Sequence, residues 1–521
     1  MNLPPPNPDE VMVRPLLERN SDEAPDQEFV HFEDGSNWTR RDGLEAAYIA
    51  GNVLRAAGVR TGHRVLLFLP NGPDFLRAWW GAMAIGATVV PVNLAFRGGA
   101  LKHLLELARP DAIVAADQFR DRIEALTDHA IIDPAQLAQG SIDAPALDAP
   151  VHVTDPHALV LTSGTTGPSK LALASHHHMY LGGSHLLVDW GCDADDVFLL
   201  DLPLFHMAGA YMTVACLASR TRLAVRSAPA MSSYWEVARD TGATVAVVVS
   251  TMAQYFTKQP ERPAEREHRL RLALSAPLPA NVKEFQGRFG IADMVTAYGM
   301  TEIPSCLTRP PGSELMPGYC GRARPGFEYR IVDGHDMEVP HGHVGEFLVR
   351  ADQPGMVSAG YVDNPEATAT AWRNGWFHSG DLMRRDAAGN YYYVDRTKDA
   401  LRRRGENISS HEVEAEVIRY PGVAEVACVP VRSDSDVDDE VKVWLVAEKG
   451  AEPDLGELLA FCVESLPHFA VPRYFELTEA LPKTASTKVQ KFELRGRGNG
   501  PSTWDREAHG YRVTRQGLSR V

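Results

Sequence analysis

The chain has 521 residues, 44% of them apolar and 23% charged, the composition of a folded, water-soluble protein rather than a disordered one. A net charge of -16 and a pI near 5.6 exclude a chain whose task is neutralising nucleic-acid phosphates or anionic lipid. The length allows about three subdomains, and six cysteines without a C-x-x-C pair read as reduced packing thiols rather than disulfides or zinc ligands.

The opening "MNLPPPNPDE" lacks a basic region followed by an apolar core, so no secretory signal is read and the cytoplasm is the default compartment. From Leu44 to the "AGVRTG" turn the pattern is helical, and "HRVLLFLP" (His63 to Pro70) then reads as a fully buried strand. "DFLRAWWGAMAIGATVVPVN" repeats the move, helix and then strand. A second series runs through "DVFLLDLPL", "TRLAVRS", "TGATVAVVVS" and "LRLALSAPLP". Such alternation predicts an α/β protein with helix-covered sheets. The longest apolar run, "ATVAVVVSTMA" (Ala243 to Ala253), is half of what a bilayer span requires and reads as a buried strand, so no transmembrane segment is expected.

Past "GNYYYVDRTKDALRRRGENIS" the character changes. A helix "SSHEVEAEVIRY", strands "GVAEVACVPV" and "VKVWLVAEKG", and an amphipathic helix carrying Leu455, Leu458, Leu459, Cys462 and Leu466 form a compact α+β module. The predicted division is residues 1–394, a hinge at 395–398, and a small mobile domain at 399–521.

The stretch "LTSGTTGPSK" (Leu161 to Lys170) concentrates glycine, hydroxyls and a lysine, yet departs from G-x-x-x-x-G-K-[ST]. It lies between two predicted strands, "HALVLTS" and "LALAS", not between a strand and a helix, so the Walker and Rossmann readings lose their structural premise. A glycine-rich hairpin can still wrap terminal phosphates with backbone N–H groups, hydroxyls and an ammonium. Composition alone leaves phosphate binding and an ordinary polar turn both open.

Further motifs follow in order: "LPLFHMAGA" (Leu202 to Ala210), "LSAPLP" (Leu274 to Pro279), "TAYGMTE" (Thr296 to Glu302), "GEFLVR" (Gly345 to Arg350), "NGWFHSGD" (Asn374 to Asp381), "DRTKDALRRRGENIS" (Asp395 to Ser409) and "PKTASTKVQK" (Pro482 to Lys491). Together with the loop they resemble the adenylate-forming superfamily of acyl-CoA synthetases, luciferase and peptide-synthetase adenylation domains. The wording is most similar to the crotonobetaine/carnitine-CoA ligase branch. The resemblance implies a large N-terminal domain of helix-covered sheets plus a β-subdomain, followed by a small mobile C-terminal domain. It also implies ATP, Mg2+ and coenzyme A as cofactors, and a small carboxylic acid as substrate.

The resemblance implies the following roles. Thr162, Ser163, Gly164, Thr165, Thr166 and Gly167, with Lys170, would hold the β- and γ-phosphates; Glu302 with Thr162 would bind magnesium, and Thr301 would meet the α-phosphate. Tyr298 would lie along adenine, with Ser275, Ala276 and Pro277 as the opposite wall, Ser275 standing where the family usually has glycine. Asp381 would take the ribose hydroxyls, a task for an acceptor without a donor, and Arg396 would bind ribose or phosphate. Lys488 would bridge carboxylate and α-phosphate, with Lys483 and Lys491 as rivals and Thr487 in place of the usual glycine before it. Lys398 falls at the hinge, and Arg404, Gly405 and Glu406 at the coenzyme A face. His206, Phe205, Met207, Tyr211, Met252, Ala297, Gly299, Met300 and Ile303 would line or gate the acyl pocket. His176, His177 and His178 invite a metal reading, but adjacent helical residues point in different directions.

An acyl-CoA ligase is the reading this supports. An acyl-AMP ligase loading a carrier protein and a non-catalytic nucleotide or acyl-adenylate binder are the alternatives. Oligomeric state is not legible, a homodimer being compatible with the chain.

Overall fold

The structure is a computed structural model that describes residues 6–162, 170–279, 281–316, 318–397, 401–403, 406–432, 439–483, 489–514 and 517–520. The alternation of apolar runs and helices folds into two mostly parallel sheets. In the first the strand order is Ile131–Ile132, Ala112–Ala115, Arg64–Phe68, Thr88–Pro91, Pro156–Thr162 and Lys170–Ser175, only the last pair being antiparallel. In the second it is Asp293–Val295, Leu272–Leu274, Val245–Val247, Val197–Leu200, Arg222–Val225, Glu28–Phe32 and Asn37–Thr39, again parallel up to the edge. The apolar run at Ala243 to Ala253 is therefore only in part a strand, since the helix Ser250–Lys258 begins within it.

Alternate residues of each strand enter different cores, as a period-2 pleat requires. Val65, Leu67, Val114 and Val160 of the first sheet share one core with Phe198, Leu200, Val245 and Val295 of the second. The helices Arg40–Ala56, Pro73–Ala84, His176–Asp189 and Met207–Ser219 fill the space between the sheets. Leu66, Ile113 and Leu159 face the opposite way into a second core, and Leu199, Ala246, Ala273 and Met294 into a third, built around Trp235, Phe256 and Phe289. Two of the central helices approach closely. A Cβ on Gly182 would collide with the Tyr211 ring, and one on Gly183 with the Tyr211 carbonyl.

A seven-stranded antiparallel sheet follows, in the order Ala297–Tyr298, Leu307–Thr308, Tyr319–Ala323, Asn390–Arg396, Phe377–Arg385, Val344–Ala351 and Phe327–Val332. The last part of the chain has its own core of Val413, Cys428, Val443, Leu458, Leu459, Cys462 and Phe475, built on the four-stranded sheet Val423–Arg432, Asp439–Ala447, Tyr474–Leu477 and Trp504–Asp505. A large mixed α/β body and a smaller α+β body are thus both present. All six cysteines are buried free thiols, and no helix among the described residues is long and apolar enough to cross a membrane.

The three consecutive histidines go to three different partners. His176 Nδ1 lies 3.2 Å from His157 Nδ1, whose Nε2 accepts from the Trp79 indole at 2.9 Å; His177 Nδ1 faces the Pro354 carbonyl; His178 Nε2 meets the Tyr211 hydroxyl at 2.7 Å. Burial lowers the pKa of His176 to about 4 and that of His178 to about 3. An unfolded histidine protonates near its usual value, whereas the folded one resists. His178 therefore stabilises the fold fully above about pH 6.5 and progressively less as pH falls toward 3. The stability gap between wild type and His178→Gln, measured by urea unfolding, is predicted to narrow by about 1.4 kcal/mol per pH unit below pH 6.5.

Candidate active site

In parallel α/β sheets the loops at the carboxyl ends of the strands gather on one edge. The strand Val197–Leu200 leads into Leu202 to Ala210, Leu272–Leu274 into Ser275 to Pro277, and Asp293–Val295 into Thr296 to Glu302, so three of the sequence motifs come together from the second sheet. His206 caps the helix Met207–Ser219, its Nδ1 accepting from the Ala208 N–H. Gly209 permits the tight return, because a Cβ there would strike the Pro203 carbonyl. Ser275 is fully buried and donates to the Pro277 carbonyl at 2.9 Å, which leaves Ala276 and Pro277 exposed on the edge. The hydroxyl thus stabilises the turn from within.

The first sheet brings the hairpin. Thr162 and Lys170 are cross-strand partners at the ends of Pro156–Thr162 and Lys170–Ser175, so the loop does connect two antiparallel strands. Ser163, Gly164, Thr165, Thr166 and Gly167 lie outside the described residues. The antiparallel sheet brings Asp381 and Arg396, which are also cross-strand partners. Their side chains pair at 3.3 Å, while the Tyr298 hydroxyl donates to the other carboxylate oxygen at 2.6 Å. The Tyr298 ring packs edge-on against Phe347.

Glu302 sits where these pieces meet. It is buried, and burial raises its pKa against the opposing hydrogen bond from Tyr361 and the charges of Lys170 and Arg396. The Tyr361 hydroxyl donates to Glu302 Oε1 at 2.7 Å, and the Lys170 ammonium lies over the Tyr361 ring, 4.7 Å from its centre. Tyr361 carried no signal in the sequence beyond its place between two motifs. Thr301 and Met300 are half-buried and Gly299 exposed beside this group. A carboxylate kept out of water with its compensating cations at a distance is chemically suited to a divalent cation, whose charge would offset the burial.

The predicted acyl wall divides. Met207 and Tyr211 belong to the core between the sheets, with half-buried Ala297 packed against it; Ile303 belongs to the adjoining core of the antiparallel sheet. Phe205 is half-buried near His206. Met252 is a correction. It packs with Trp235 and Phe256 on the opposite face of the second sheet, because the helix Ser250–Lys258 turns its apolar side that way.

A second cluster, Asp336, Glu346 and His378, brings ligand-type atoms within 4.8 Å of one another. Arg373 already bonds to both of its carboxylates. The cluster borders a cavity of about 460 Å³ that Lys170 also lines.

In the smaller body, Lys398, Arg404, Gly405, Lys488 and the Glu406 side chain lie outside the described residues. The two rival lysines are described and both are engaged. Lys483 pairs with Glu425 at 2.6 Å, and Lys491 with Glu414 at 2.7 Å while donating to Ser410 Oγ at 2.5 Å. Burial would lower the Lys491 pKa, but the charges of Glu414 and Asp395 outweigh it and hold the ammonium above its usual value. The Lys491 pair is the more enclosed of the two, Lys483 and Glu425 both being more than a third exposed.

Residues 17–362, more than half the chain, match the sequence model of the AMP-binding enzyme family, and residues 412–488 match that of the AMP-binding enzyme C-terminal domain. The chain is 29% identical over 473 residues to a crotonobetaine/carnitine–CoA ligase of Citrobacter koseri, covering 85% of this chain and 90% of that one. Among solved structures it resembles ATP-bound MatB from Rhodopseudomonas palustris, with a TM-score of 0.83, 26% identity, and coverage of 94% of this chain and 98% of that one. It also shares its fold with the o-succinylbenzoate CoA synthetase of Bacillus subtilis in complex with ATP and magnesium, at a TM-score of 0.82, 23% identity, and 92% and 98% coverage.

Removing one member of a buried ion pair strands the other. Lys491→Met is predicted to lower the stability of the smaller body by about 3 kcal/mol, and Lys491→Met with Glu414→Met to recover most of the loss. Urea unfolding followed by tryptophan fluorescence would read both.

Proposed function

The chain belongs to the AMP-binding enzyme family, and from that premise we propose that it is an acyl-CoA ligase joining a carboxylic acid to AMP and then to coenzyme A. The observation that carries the proposal is the placement of Glu302, Lys170, Arg396 and Asp381 on one edge where three sheets meet. A carboxylate and a triphosphate repel each other, so an enzyme that joins them must neutralise negative charge while aligning the attack.

Lys170, at the foot of the glycine-rich hairpin, supplies one positive charge for the β- and γ-phosphates, and the loop amides supply oriented N–H groups. Arg396 supplies another from the edge of the antiparallel sheet. Asp381 is held by Tyr298 and Arg396 and keeps lone pairs for the ribose hydroxyls. Ala276 and Pro277 form one wall for adenine and Tyr298 the other. Glu302 and Thr162 would hold magnesium, which when bound offsets charge on the phosphates. Lys488, a compact charge on a long side chain, would bring the last positive charge to the carboxylate and the α-phosphate. His206 orients the acid rather than deprotonating it, since a carboxylic acid is already ionised at neutral pH.

After adenylation the smaller body would turn about residues 395–398, withdrawing Lys488 and presenting Arg404, Gly405 and Glu406 to coenzyme A. One site would then run two half-reactions in turn. The relatives named for crotonobetaine and carnitine support a small acid as the substrate class. The buried free cysteines accord with a reducing compartment such as the cytoplasm.

Magnesium- and acid-dependent exchange of pyrophosphate into ATP is expected, and Lys488→Ala should abolish it. Asp381→Asn should raise the KM for ATP by about tenfold or more, through loss of charge-assisted hydrogen bonds. AMP release across short, medium, aromatic and betaine-type acids should require coenzyme A. Exchange of pyrophosphate with no AMP release on adding coenzyme A would point to a carrier-protein acceptor, and no exchange with any acid to a binding protein.

A further inference from the structure

Glu302 lies in the loop that follows the strand Ala297–Tyr298 and Lys170 begins a strand of the first sheet, and their separation must be held constant if one is to meet a metal ion and the other the phosphates of ATP. The segment Ser358 to Val362 spans them. Its backbone lies along the strand Lys170–Ser175: Leu173 N–H donates to the Gly360 carbonyl at 3.0 Å, Ala359 N–H to the Leu173 carbonyl at 3.2 Å, and Val362 N–H to the Leu171 carbonyl at 2.9 Å, with Tyr361 opposite Ala172. On its other side Ser358 N–H donates to the Glu302 carbonyl at 2.8 Å. One short strap is therefore bonded both to the strand that begins at Lys170 and to the backbone of Glu302.

We propose that Tyr361 is a positioning residue of the adenylating site, its hydroxyl fixing the Glu302 carboxylate and its ring face fixing the Lys170 ammonium. The proposal rests on the reading of Glu302 and Lys170 given above.

The side chain is well held for this task. Tyr361 N–H donates to Thr368 Oγ1 at 3.0 Å, and the ring meets Trp372 edge-on with centres 5.8 Å apart. The strap packs so closely on the helix Pro365–Ala371 that a Cβ on Gly360 would come within 2.7 Å of Thr368. Burial and the Glu302 charge push the Tyr361 pKa upward, so at neutral pH the phenol is the donor and the carboxylate the acceptor. The hydroxyl and the ring face address different groups, and their contributions can be separated. A hydrogen bond to a charged group and a cation–π contact each contribute enough to be measured.

Two substitutions in the full chain divide them. Tyr361→Phe keeps the ring and removes the hydroxyl, and Tyr361→Leu removes both. Metal binding is read without turnover, by electron paramagnetic resonance titration of Mn2+ in the presence of α,β-methylene-ATP. Turnover is read as the Mg2+ and ATP dependence of pyrophosphate exchange, and folding as the thermal midpoint. Tyr361→Phe is expected to weaken Mn2+ binding and raise the Mg2+ requirement by about tenfold, with the ATP KM at saturating metal and the thermal midpoint little changed. Tyr361→Leu should add a rise of about threefold or more in the ATP KM. Unchanged Mn2+ binding in Tyr361→Phe overturns the proposal, as does a lowered midpoint with normal metal dependence, which would mark packing alone. Glu302→Gln separates the levels. If it weakens Mn2+ binding while Tyr361→Phe does not, only the tyrosine's role fails; if it has no effect, the metal reading of Glu302 falls and takes this inference with it.

Discussion

The arrangement depends on keeping the Glu302 carboxylate buried with no ion pair onto it among the described residues. Burial raises the pKa of such a group, and a direct ion pair would satisfy it so fully that little remained to recruit. The structure takes an intermediate course. A phenol donates one hydrogen bond, and Lys170 and Arg396 act from farther away. The carboxylate thus stays polarised toward an incoming positive charge. Every neighbouring element is placed to maintain that balance.

Three sheets are needed because no single one could assemble it. Parallel strands gather their loops at one end, which collects the His206, Ser275 and Tyr298 segments but provides no close cross-strand pairs on that edge. The antiparallel sheet provides one, Asp381 opposite Arg396, and the antiparallel edge of the first sheet provides another, Thr162 opposite Lys170. One core lies between the two parallel sheets, and the antiparallel sheet has its own, which Leu181 of the helix His176–Asp189 joins. Gly182 and Gly183 allow the central helices to pack so tightly that Tyr211 has little freedom, consistent with an interior packed to crystal-like density.

Local signals made much of this readable from sequence. The hairpin setting of the glycine-rich loop followed from the apolar runs on either side, and the presence of a large and a small body followed from the change of pattern late in the chain. What escaped depended on long-range packing. Met252 lies in the first turn of the helix that follows the strand Val245–Val247, but its side chain packs into the core of Trp235, Phe256 and Phe289. Tyr361 gains meaning only when a strap distant in sequence lies along the strand that starts at Lys170. No periodicity encodes that pairing. The engagement of Lys483 and Lys491 was equally hidden, because Glu425 and Glu414 are remote along the chain.

Those engaged lysines bear on how a mobile body could work. A positive charge that serves two half-reactions must leave its site without breaking strong contacts, and a buried pair such as Lys491 with Glu414 would resist that strongly. Both flanking lysines are instead bound to carboxylates of their own body, Lys491 in an enclosed pair and Lys483 in an exposed one. Contacts between the bodies are of a different kind. Lys258 meets Glu448 at 3.0 Å with both side chains nearly half exposed, and donates to the Val423 carbonyl at 3.2 Å. Exposed pairs of this sort contribute less than about 1 kcal/mol. Near the proposed hinge, Ser409 donates to the Val394 carbonyl and Ser410 N–H to Asp395, all three of Ser409, Ser410 and Asp395 being buried. The smaller body thus has a core of its own and meets the larger one through both an exposed ion pair and buried hydrogen bonds, so a swivel at residues 395–398 would have to break the latter.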